Sequence, residues 1–470
     1  MKAKSQPVVR AIKACGIAGL LVLVSGNASA AGFALIEQSI SGMGTAYAIG
    51  SAGIDDASTL FFNPAGMSRL PGSMLTGNLQ VVNADTKVDA MGYYNPKNAA
   101  ITGTGIGAPA PVPVIGKTKD DAGLLAAVPS GYISHQYNDR IWMGVGVFAP
   151  FGLTTEYDDN WVGRYHAIKS ELLTYNLNPS IAFRLNEHAS VGFGISAMYA
   201  DGELTQAADV ALGGFLRDQA LPVPTGFPPP PTGSGTIDSK AKVTGTDWGF
   251  GFNMGVLLEP TDHTRLGLHY RSKIELELDG NSKISGPVFN EKQDAELDVT
   301  LPDSLSLSAY HGINPQWAVM ADITWTQWSK LNSLVVEFQD GSLSVTPLEW
   351  EDSTRYAIGT EYTYNRQWIF RGGVALDNTP VPKEALRTPR VPDNDRTWLT
   401  FGATWKYTPE ISFDFGYAHL FVDDPKLRGS ANANDPTAPF PVGLTGTHAL
   451  DADYDAAVDI FSVGFNWKFR

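Results

Sequence analysis

The sequence contains a single cysteine, Cys15, near its N-terminus. The chain beyond it therefore has neither a disulfide framework nor thiolate chemistry. Past residue 30, no apolar run approaches the roughly 20 residues that a transmembrane helix needs. Positive charge is also scarce, because 34 Lys and Arg face 49 Asp and Glu, for a formal net charge of −15. So acidic a chain is poorly suited to bind the phosphate backbone of a nucleic acid.

Catalytic motifs are missing as well. The eight histidines are scattered, with no pair at metal-ligand spacing and no His-Glu-x-x-His. The sequence has no Gly-x-Ser-x-Gly elbow and no phosphate-binding loop. Asp55-Asp56 and the aspartates within 393–395 are explained by solvated turns, with calcium binding as the alternative. The sequence therefore predicts no catalytic residue, no metal ligand set and no cofactor.

The N-terminus has the layout of a secretory signal peptide. A basic region without acidic residues comes first, then an apolar stretch over 14–26, then the small residues Ala28-Ser29-Ala30. We therefore predict that residues 1–30 are a signal peptide, whose removal leaves about 440 residues. The alternative, an uncleaved anchor, requires a longer apolar stretch than this one.

The C-terminal residues alternate with a period of two. The apolar members are Phe461, Val463, Phe465, Trp467 and Phe469, with small or polar residues between them. Such a strand faces a core in a soluble sandwich, but it faces lipid in an outer-membrane barrel, whose other face lines the lumen. The aromatic ending also resembles the C-terminal strand signal that the barrel-assembly machinery reads, although Arg470 follows Phe469.

The connections between strand-like segments alternate strictly in length. About fourteen such segments can be recognised, an even number, as bacterial barrels prefer. The short connections carry turn residues: Asn138-Asp139, Asn186-Glu187, 259–262, 311–314, Asn365-Arg366 and Thr408-Pro409. The long connections are 84–130, 149–170, 204–244, 280–292, 329–353, 378–394 and 423–454. Short periplasmic turns and long extracellular loops are typical of an outer-membrane barrel, here residues 73–470, whereas a soluble sandwich has no reason to segregate them.

Tryptophans near the predicted strand ends are expected in interfacial girdles, with the lumen as the alternative for some of them. They are Trp317, Trp325, Trp328, Trp368, Trp398 and Trp405.

Residues 31–72 precede the first strand and do not share its pattern. They are rich in Gly, Ala and Ser and lack two-residue alternation. About fourteen strands enclose a lumen wider than side chains alone can fill, so we predict that this segment is a plug, or hatch. Asn63 as a cap and Pro64 at the first helical position predict a short helix within it. The expected fold is all-β, an antiparallel transmembrane barrel of about 14 strands with a hatch that contains short helices.

Several motifs resemble one family, the FadL-type long-chain fatty acid transporters, which includes TodX-type aromatic-hydrocarbon channels. They are AGFAL at 31–35, DDAS at 55–58, NPAG at 63–66, WVGRY at 161–165, NPS at 178–180, LPDS at 301–304, RGGVA at 371–375 and PDNDR at 392–396. The resemblance implies a monomeric, fourteen-stranded barrel with an N-terminal hatch in the outer membrane of a Gram-negative bacterium.

The same resemblance implies a mechanism. A hydrophobic molecule is captured at an extracellular groove and passes to a lumen pocket. It leaves sideways into the bilayer after the hatch shifts beside a kink in the third strand. For the hatch we single out Asn63, Pro64 and Ala65, which alternatively only cap a short helix. For the kink we single out Gly144 and Gly146, which alternatively only leave lumen space.

The expected outer groove lies in the loop 204–244. Its apolar residues share one face if 205–219 is helical, and they are Ala208, Leu212, Phe215 and Leu216. A stripe of this kind offers a landing site for a lipid-like molecule. The alternative is that it packs against neighbouring loops.

A fatty acid carboxylate drawn into an apolar lumen needs a basic partner. The candidates are Arg164, Lys169, Arg355 and Arg371, each of which alternatively pairs with a lumen carboxylate. The family's resemblance leads us to expect a lysine before Trp350, but 344–348 reads SVTPL, which leaves room for neutral hydrocarbons. We therefore predict passive uptake of long-chain fatty acids, with aromatic hydrocarbons as the alternative. A general porin and an outer-membrane enzyme are alternatives of other classes, and the direction of transport stays open.

Overall fold

The computed structural model describes residues 32–96, 112–208, 238–287, 290–431 and 446–469. Within them, antiparallel strands close into a fourteen-stranded barrel, with a few short helices near the N-terminus. The predicted fold is therefore confirmed. Among the described residues, no helix is both long and apolar enough to cross a membrane.

The first eleven strands are β1 (Ser73–Pro96), β2 (Val112–Pro113), β3 (Lys119–Asp121), β4 (Leu124–Gln136), β5 (Ile141–Phe148), β6 (Gly152–Glu156), β7 (Lys169–Asn186), β8 (Ala189–Ala208), β9 (Ser239–Thr261), β10 (Thr264–Arg271) and β11 (Ile274–Ser285). The others are β12 (Asn290–Leu301), β13 (Ser304–Gly312), β14 (Trp317–Thr326), β15 (Ser333–Phe338), β16 (Leu343–Pro347), β17 (Ser353–Thr363), β18 (Trp368–Asp377), β19 (Arg396–Lys406), β20 (Ile411–Val422), β21 (Lys426–Ala431) and β22 (Gly446–Phe469).

The barrel is closed by the pairing of its first and last strands. β1 and β22 form a continuous ladder from Ser73 opposite Phe469 to Pro96 opposite Gly446. Three of the fourteen crossings consist of two consecutive segments each: β5 with β6, β10 with β11, and β12 with β13. Because the first and last strands pair along their whole length, the sheet is closed, as the hydrocarbon core of a bilayer demands of a spanning sheet.

The alternation predicted for the last strand is present in the structure. Phe461, Val463, Phe465 and Trp467 of β22 are exposed on the outer face, whereas Ser462 and Asn466 are buried. Trp317 packs against Tyr362 near the short turns, and Trp368 stacks on Trp405 at the same end, as a girdle requires. The girdle prediction is wrong for Trp328 and Trp398, which are completely buried inside the barrel.

All of the predicted short turns are found between paired strands. In three of them an asparagine side chain orders the turn: the Oδ1 atoms of Asn138, Asn314 and Asn365 accept from backbone N–H groups two and three residues later. The long connections are shorter than predicted, because ladders continue beyond the expected strand ends. β1 reaches Pro96, and β8 and β9 stay paired as far as Ala208 opposite Ser239.

The described part of the hatch, residues 32–72, lies inside the barrel. It contains α1 (Ile40–Met43), α2 (Thr59–Phe62) and the 3₁₀ helices Gly50–Ala52 and Pro64–Arg69; a further 3₁₀ helix, Trp328–Lys330, follows β14. Ser39 caps α1, because its Oγ accepts from Gly42 N at 3.1 Å. Met43, Tyr47 and Phe62 of the hatch form one apolar core with inward-facing residues of the wall. The lumen is therefore filled by packed side chains at this level.

Candidate transport site

The third crossing of the barrel is interrupted. β5 pairs with β4 only from Gln136 opposite Trp142 to Gly131 opposite Val147. After Phe148 the strand breaks, and β6 resumes at Gly152 in pairing with β7 alone. In the described part of the chain, β4 beyond Gly131 has no ladder partner on this side. Among the described residues, the wall between β4 and β6 consequently lacks ladder hydrogen bonds.

A segment of the hatch occupies this interruption. We call residues 32–38 the N-terminal arm. Ala34 lies opposite Phe151 in an antiparallel bridge. Leu35 N donates to Pro150 O at 2.8 Å, and Gly152 N donates to Phe33 O at 3.0 Å. Gln38 Nε2 donates to Ala149 O at 2.6 Å. The arm thus supplies backbone partners that the wall does not.

The arm also places an aromatic ring in the lumen. The ring of Phe33 lies 4.9 Å from that of Trp328, 5.9 Å from that of Trp350 and 6.2 Å from that of Phe151. We call these residues the aromatic cluster. Gly32 has a φ of +63°, and a Cβ there would lie 2.7 Å from the Trp328 indole, so the position needs glycine. These rings and the aliphatic side chains packed against them form an apolar lining beside the interruption.

The hatch motif at Asn63, Pro64 and Ala65 is fixed to the wall at β8 and β9. Asn63 Oδ1 accepts from Ala65 N at 3.0 Å and caps the 3₁₀ helix that follows. Its Nδ2 donates to Ser51 O at 2.7 Å and to Val256 O at 3.0 Å. Gly192 and Gly255 lie opposite each other in the wall, and a Cβ on either would overlap the 63–65 backbone or the Asn63 side chain. This turn is therefore both a helix cap and an attachment point.

Ion pairs hold the hatch beside the turn that joins β9 and β10. Asp55 Oδ1 accepts from Arg265 Nη1 at 3.1 Å and from Arg69 Nη2 at 3.4 Å. Arg69 also pairs with Glu259, and Arg265 lies 3.8 Å from the ring centre of Tyr310. The expectation of a solvated turn is wrong for Asp56, which is buried and bonded to Ser41, whereas the Asp55 side chain is exposed although it pairs with Arg265.

Gly144 and Gly146 lie just before the interruption, within regular pairing. Gly144 is opposite Ser134 and Ser180, and a Cβ on it would lie 2.6 Å from Leu60 Cδ2 of the hatch. Gly146 faces Tyr132, which a Cβ would approach to 2.9 Å. The ladder ends only after Phe148, next to Pro150, whose nitrogen cannot donate a ladder hydrogen bond. The two glycines make room in the lumen, and the break itself is at 149–151.

Three of the four candidate basic residues have carboxylate partners. Arg164 Nε lies 2.8 Å from Asp238 Oδ2. Lys169 Nζ lies 2.7 Å from Glu171 Oε2 and 3.8 Å from Glu203 Oε2. The third is Arg371, beside the hatch, whose Nε lies 2.8 Å from Glu361 Oε2.

Arg355 differs from them. No carboxylate of the described residues lies within ion-pair distance of its guanidinium, which donates from Nη2 to Ala46 O at 2.7 Å. Its Nε and Nη1 are buried without a hydrogen-bond partner among the described residues. The guanidinium carbon lies 5.3 Å from the ring centre of Trp398 and 5.8 Å from that of Tyr47. Arg355 is the predicted basic residue that is most available to an anion.

Glu37 of the N-terminal arm belongs to the same polar region. It is fully buried, and neither carboxyl oxygen has a hydrogen-bond partner among the residues described. Burial raises the pKa of Glu37 to about 7, against the opposing effect of Arg396 and Arg355. The arm therefore carries a carboxyl group that titrates near neutral pH.

The sequence matches the family model described as "Outer membrane protein transport protein (OMPP1/FadL/TodX)" over residues 21–469. The chain belongs to this family. It is accordingly an outer-membrane transport protein and not an enzyme. Its closed barrel and the names of its relatives agree with the location in the outer membrane.

Relatives whose names are known match this FadL/TodX protein along almost its whole length. The long-chain fatty acid transport protein of Escherichia coli O6:H1 is 32% identical over 471 residues, covering 96% of this chain and 98% of the relative. Outer membrane protein P1 of Haemophilus influenzae is 32% identical over 422 residues, covering 86% of this chain and 89% of the relative.

Solved structures of the family have the same fold. A Pseudomonas aeruginosa FadL homologue superposes with a TM-score of 0.80 at 26% identity, covering 94% of this chain and 100% of that one. The Pseudomonas putida toluene transporter TodX superposes with a TM-score of 0.64 at 19% identity, covering 92% and 100%. The second likeness, at so low an identity, concerns the fold alone.

The outer groove expected of a FadL/TodX protein can be located only in part. Leu212, Phe215 and Leu216 lie outside the described residues. Ala208 is buried at the end of β8, opposite Ser239. The predicted helix over 205–219 is wrong for its first residues, because Thr205 to Ala208 pair with β9 as a strand. There, hydrogen bonding to β9 determines the backbone conformation, and the helical spacing of the apolar residues does not.

Asp393 and Arg390 are buried charged residues of this FadL/TodX protein whose environment the sequence reasoning did not predict. Asp393 is buried and accepts from Gly32 N at 3.0 Å and from Thr379 Oγ1 at 2.7 Å, and it pairs with Arg396. A solvated turn is therefore wrong for Asp393. Arg390 is buried too, and its Nη2 donates to Gln206 Oε1 at 2.7 Å. No local pattern marks Arg390, since its partners come from distant strands.

Proposed function

We propose that this protein is a passive channel for hydrophobic molecules, and that long-chain fatty acids are its main substrates. The observation that carries the proposal is the N-terminal arm, which pairs with the interrupted third crossing and places Phe33 in an apolar lumen site. The names of the E. coli relatives support the choice of fatty acids. Aromatic hydrocarbons are the second candidate, because the aromatic cluster suits a flat ring as well as an alkyl chain.

The route we propose avoids water. A molecule is captured near the extracellular loop 204–244, moves into the lumen beside the aromatic cluster, and leaves sideways between β4 and β6. Returning an alkyl tail to water costs about 0.8 kcal/mol for each methylene, so release directly into the bilayer removes the largest barrier. The interruption offers such an exit, because no ladder bonds join β4 to β6 in the described part of the wall.

The moving part is the arm and not the whole hatch. The hatch body is attached at Asn63 and by the ion pairs of Asp55, on the side of β8 to β10. The arm, in contrast, is held to the interruption by a few hydrogen bonds. A substrate that displaces Phe33 from the aromatic cluster pulls on Ala34, which breaks its bridge to Phe151 and uncovers the exit.

Two further properties complete the proposal. We infer that the protein works as a monomer, because one chain closes the barrel and contains both hatch and exit. We also infer that the barrel-assembly machinery reads the last strand, whose outer face ends in Trp467 and Phe469. Deletion of Phe469 is then expected to lower the amount of assembled barrel.

Uptake by cells tests the proposed function. The chain is produced in an E. coli strain that lacks its own long-chain fatty acid transport protein, and uptake of labelled oleate and of labelled toluene is measured. We expect oleate uptake above that of cells with an empty vector. Uptake of toluene alone would transfer the function to aromatic hydrocarbons. Uptake of neither, together with steady ion conductance in planar bilayers, would replace the proposal by a general porin.

A further inference from the structure

Arg390 is a buried cation that has no counter-ion among the residues the structure describes. It lies in the connection between β18 and β19, and only 6% of its surface is exposed. Its guanidinium donates to Ser170 Oγ at 3.0 Å, to Gln206 Oε1 at 2.7 Å and, more weakly, to Lys169 O at 3.5 Å. All of these acceptors are neutral. No carboxylate of the described residues lies within 4 Å of it.

Such an arrangement is costly unless an anion completes it. A charge taken out of water without a partner is strongly unfavourable, and arginine offers five N–H donors in a fixed fork. Burial lowers the pKa of Arg390 to about 10, so the side chain is still a cation at neutral pH. Two other arginines with little exposed surface, Arg164 and Arg371, are each neutralised by a carboxylate, of Asp238 and of Glu361 respectively.

The chain holds Arg390 in place without neutralising it. Thr155 Oγ1 donates to Arg390 O at 3.0 Å, and Tyr157 Oη donates to the adjacent Pro389 O at 2.8 Å. His166 lies close enough to be affected by the charge of Arg390. Burial, together with His448 and Arg390, lowers the pKa of His166 to about 3, so it adds no charge at neutral pH.

The surroundings of these partners are apolar. Next to Arg390 in the chain, Val391 packs with Leu153 and Leu172 in the lining that includes the aromatic cluster. Ile168 and Ala207, which adjoin Lys169 and Gln206 in sequence, belong to a second apolar cluster. A small hydrated anion gains little from such a lining, whereas an anion that carries an alkyl tail buries the tail as it pairs.

We propose that Arg390 binds the carboxylate of a long-chain monocarboxylic acid inside the lumen, with Ser170 and Gln206 orienting the guanidinium. The inference rests on the proposed function and adds to it the residue that recognises the acidic headgroup. The carboxylate pairs with the guanidinium edge that the neutral acceptors leave unused, and such charge-assisted bonds favour the acid over its uncharged analogues. Arg390 is then the residue that determines headgroup specificity.

Matched ligands separate headgroup recognition from tail burial. The full-length mature barrel is purified in amphipol, and dissociation constants for palmitate and for hexadecanol are measured by titration calorimetry. In Arg390→Gln we expect the dissociation constant for palmitate to rise about tenfold to a hundredfold, as for loss of a hydrogen-bonded charge pair. Hexadecanol, with the same tail, is expected to bind as before. Arg428→Gln, which removes an arginine from an exposed ion pair with Asp453, is the matched control and is expected to change neither.

A second variant retains the Arg390 side chain, so that its effect does not come from a cavity or from a misfolded loop. Gln206→Glu places a carboxylate beside Arg390 from within the chain, so the arginine stays buried and becomes paired. We expect this variant to lose palmitate affinity and to keep hexadecanol affinity.

The inference is overturned if both variants bind palmitate as the parent protein does, or if acid and alcohol weaken equally. Failure of the parent protein to bind either ligand contradicts the proposed function itself, which is a different result.

Discussion

Gly359 lies directly opposite Gly373 on neighbouring strands of the wall, and the backbone of Thr45 and Ala46 fills the space that the two residues leave. A Cβ on Gly359 would lie 2.7 Å from the Cβ of Thr45, and one on Gly373 would overlap the Thr45 carbonyl carbon. The same relationship joins Gly192 and Gly255 to the turn at Asn63. The hatch is therefore seated where two glycines meet across a ladder.

The variant Gly373→Ala tests this seat. The added methyl group forces the Thr45 backbone away from the wall, and overpacking of this kind costs about 1–3 kcal/mol. We expect faster hydrogen exchange at residues 44–48 of the hatch, measured by mass spectrometry. Gly372→Ala, at the preceding residue of the same strand, is the control, since the atom nearest to its Cβ would be Thr400 O at 4.0 Å. Equal exchange in the two variants would contradict a seated hatch.

The variant Asp55→Asn tests the attachment near the β9–β10 turn. Arg265, which is buried, loses the carboxylate that it contacts at 3.1 Å, and Arg69 loses one of two partners. We expect this end of the hatch to loosen by about 1 kcal/mol, because the amide still accepts a hydrogen bond but no longer offsets the charge of Arg265. The measurement is single-channel conductance in planar bilayers, where brief open events are expected. Asp89→Asn removes a carboxylate from an exposed pair with Lys119 and should leave the trace unchanged.

The barrel could be predicted from the sequence because its signals are local. The alternation of β22 can be recognised by comparing each residue with the next but one. The turns at Asn138, Asn314 and Asn365 are ordered by hydrogen bonds that span two or three residues. The hatch could be predicted because a lumen of that width must be filled. Strand ends on the extracellular side could not, since ladders such as β8 with β9 continue wherever a partner strand continues.

The candidate site was less predictable because its contacts join distant parts of the chain. Pro150 indicates the end of a strand, but nothing near it indicates that Ala34 takes the place of the missing neighbour. Trp328 and Trp398 are tryptophans, as girdle residues often are, and only their burial in the structure shows that they lie in the lumen. Arg390 stands in a predicted loop, and its neutral partners Ser170 and Gln206 come from distant strands, so the sequence does not reveal that no described carboxylate pairs with it.

Docking of the N-terminal arm is expected to depend on pH. Burial raises the pKa of Glu37 from its ordinary 4.5 to about 7. The positive charges of Arg396 and Arg355 oppose this rise, whereas the negative charge of Asp377 adds to it. The docked arm thus binds the proton more tightly than the released arm. Docking is fully stabilised below pH 4.5, weakens as the pH rises to about 7 and then levels off, with a total change of about 3 kcal/mol.

Hydrogen exchange at Leu35, expressed as protection relative to the intrinsic rate, measures this effect between pH 5 and pH 8. Protection is expected to fall across that interval in the parent protein and to stay nearly constant in Glu37→Gln, which cannot ionise. A parent protein whose protection rises with pH would reverse the sign and contradict the assignment of Glu37 as a neutral group in the docked arm.

The bridge between Ala34 and Phe151 offers the most direct test of sideways release. The pair is not itself hydrogen-bonded, because the flanking bonds run from Leu35 N to Pro150 O and from Gly152 N to Phe33 O. Such pairs bring side chains close together, as a disulfide requires. Since Cys15 is the only natural cysteine and lies in the predicted signal peptide, Ala34→Cys with Phe151→Cys introduces the only pair in the mature chain.

Oleate uptake is measured with this double variant oxidised and then reduced in the same preparation, beside each single variant. The proposed mechanism predicts that oxidation lowers uptake to the level of cells without the channel, that reduction restores it, and that the single variants do not respond. Equal uptake by the oxidised and reduced double variant would mean that the arm need not leave the interruption, and it would contradict release through the barrel wall at this position.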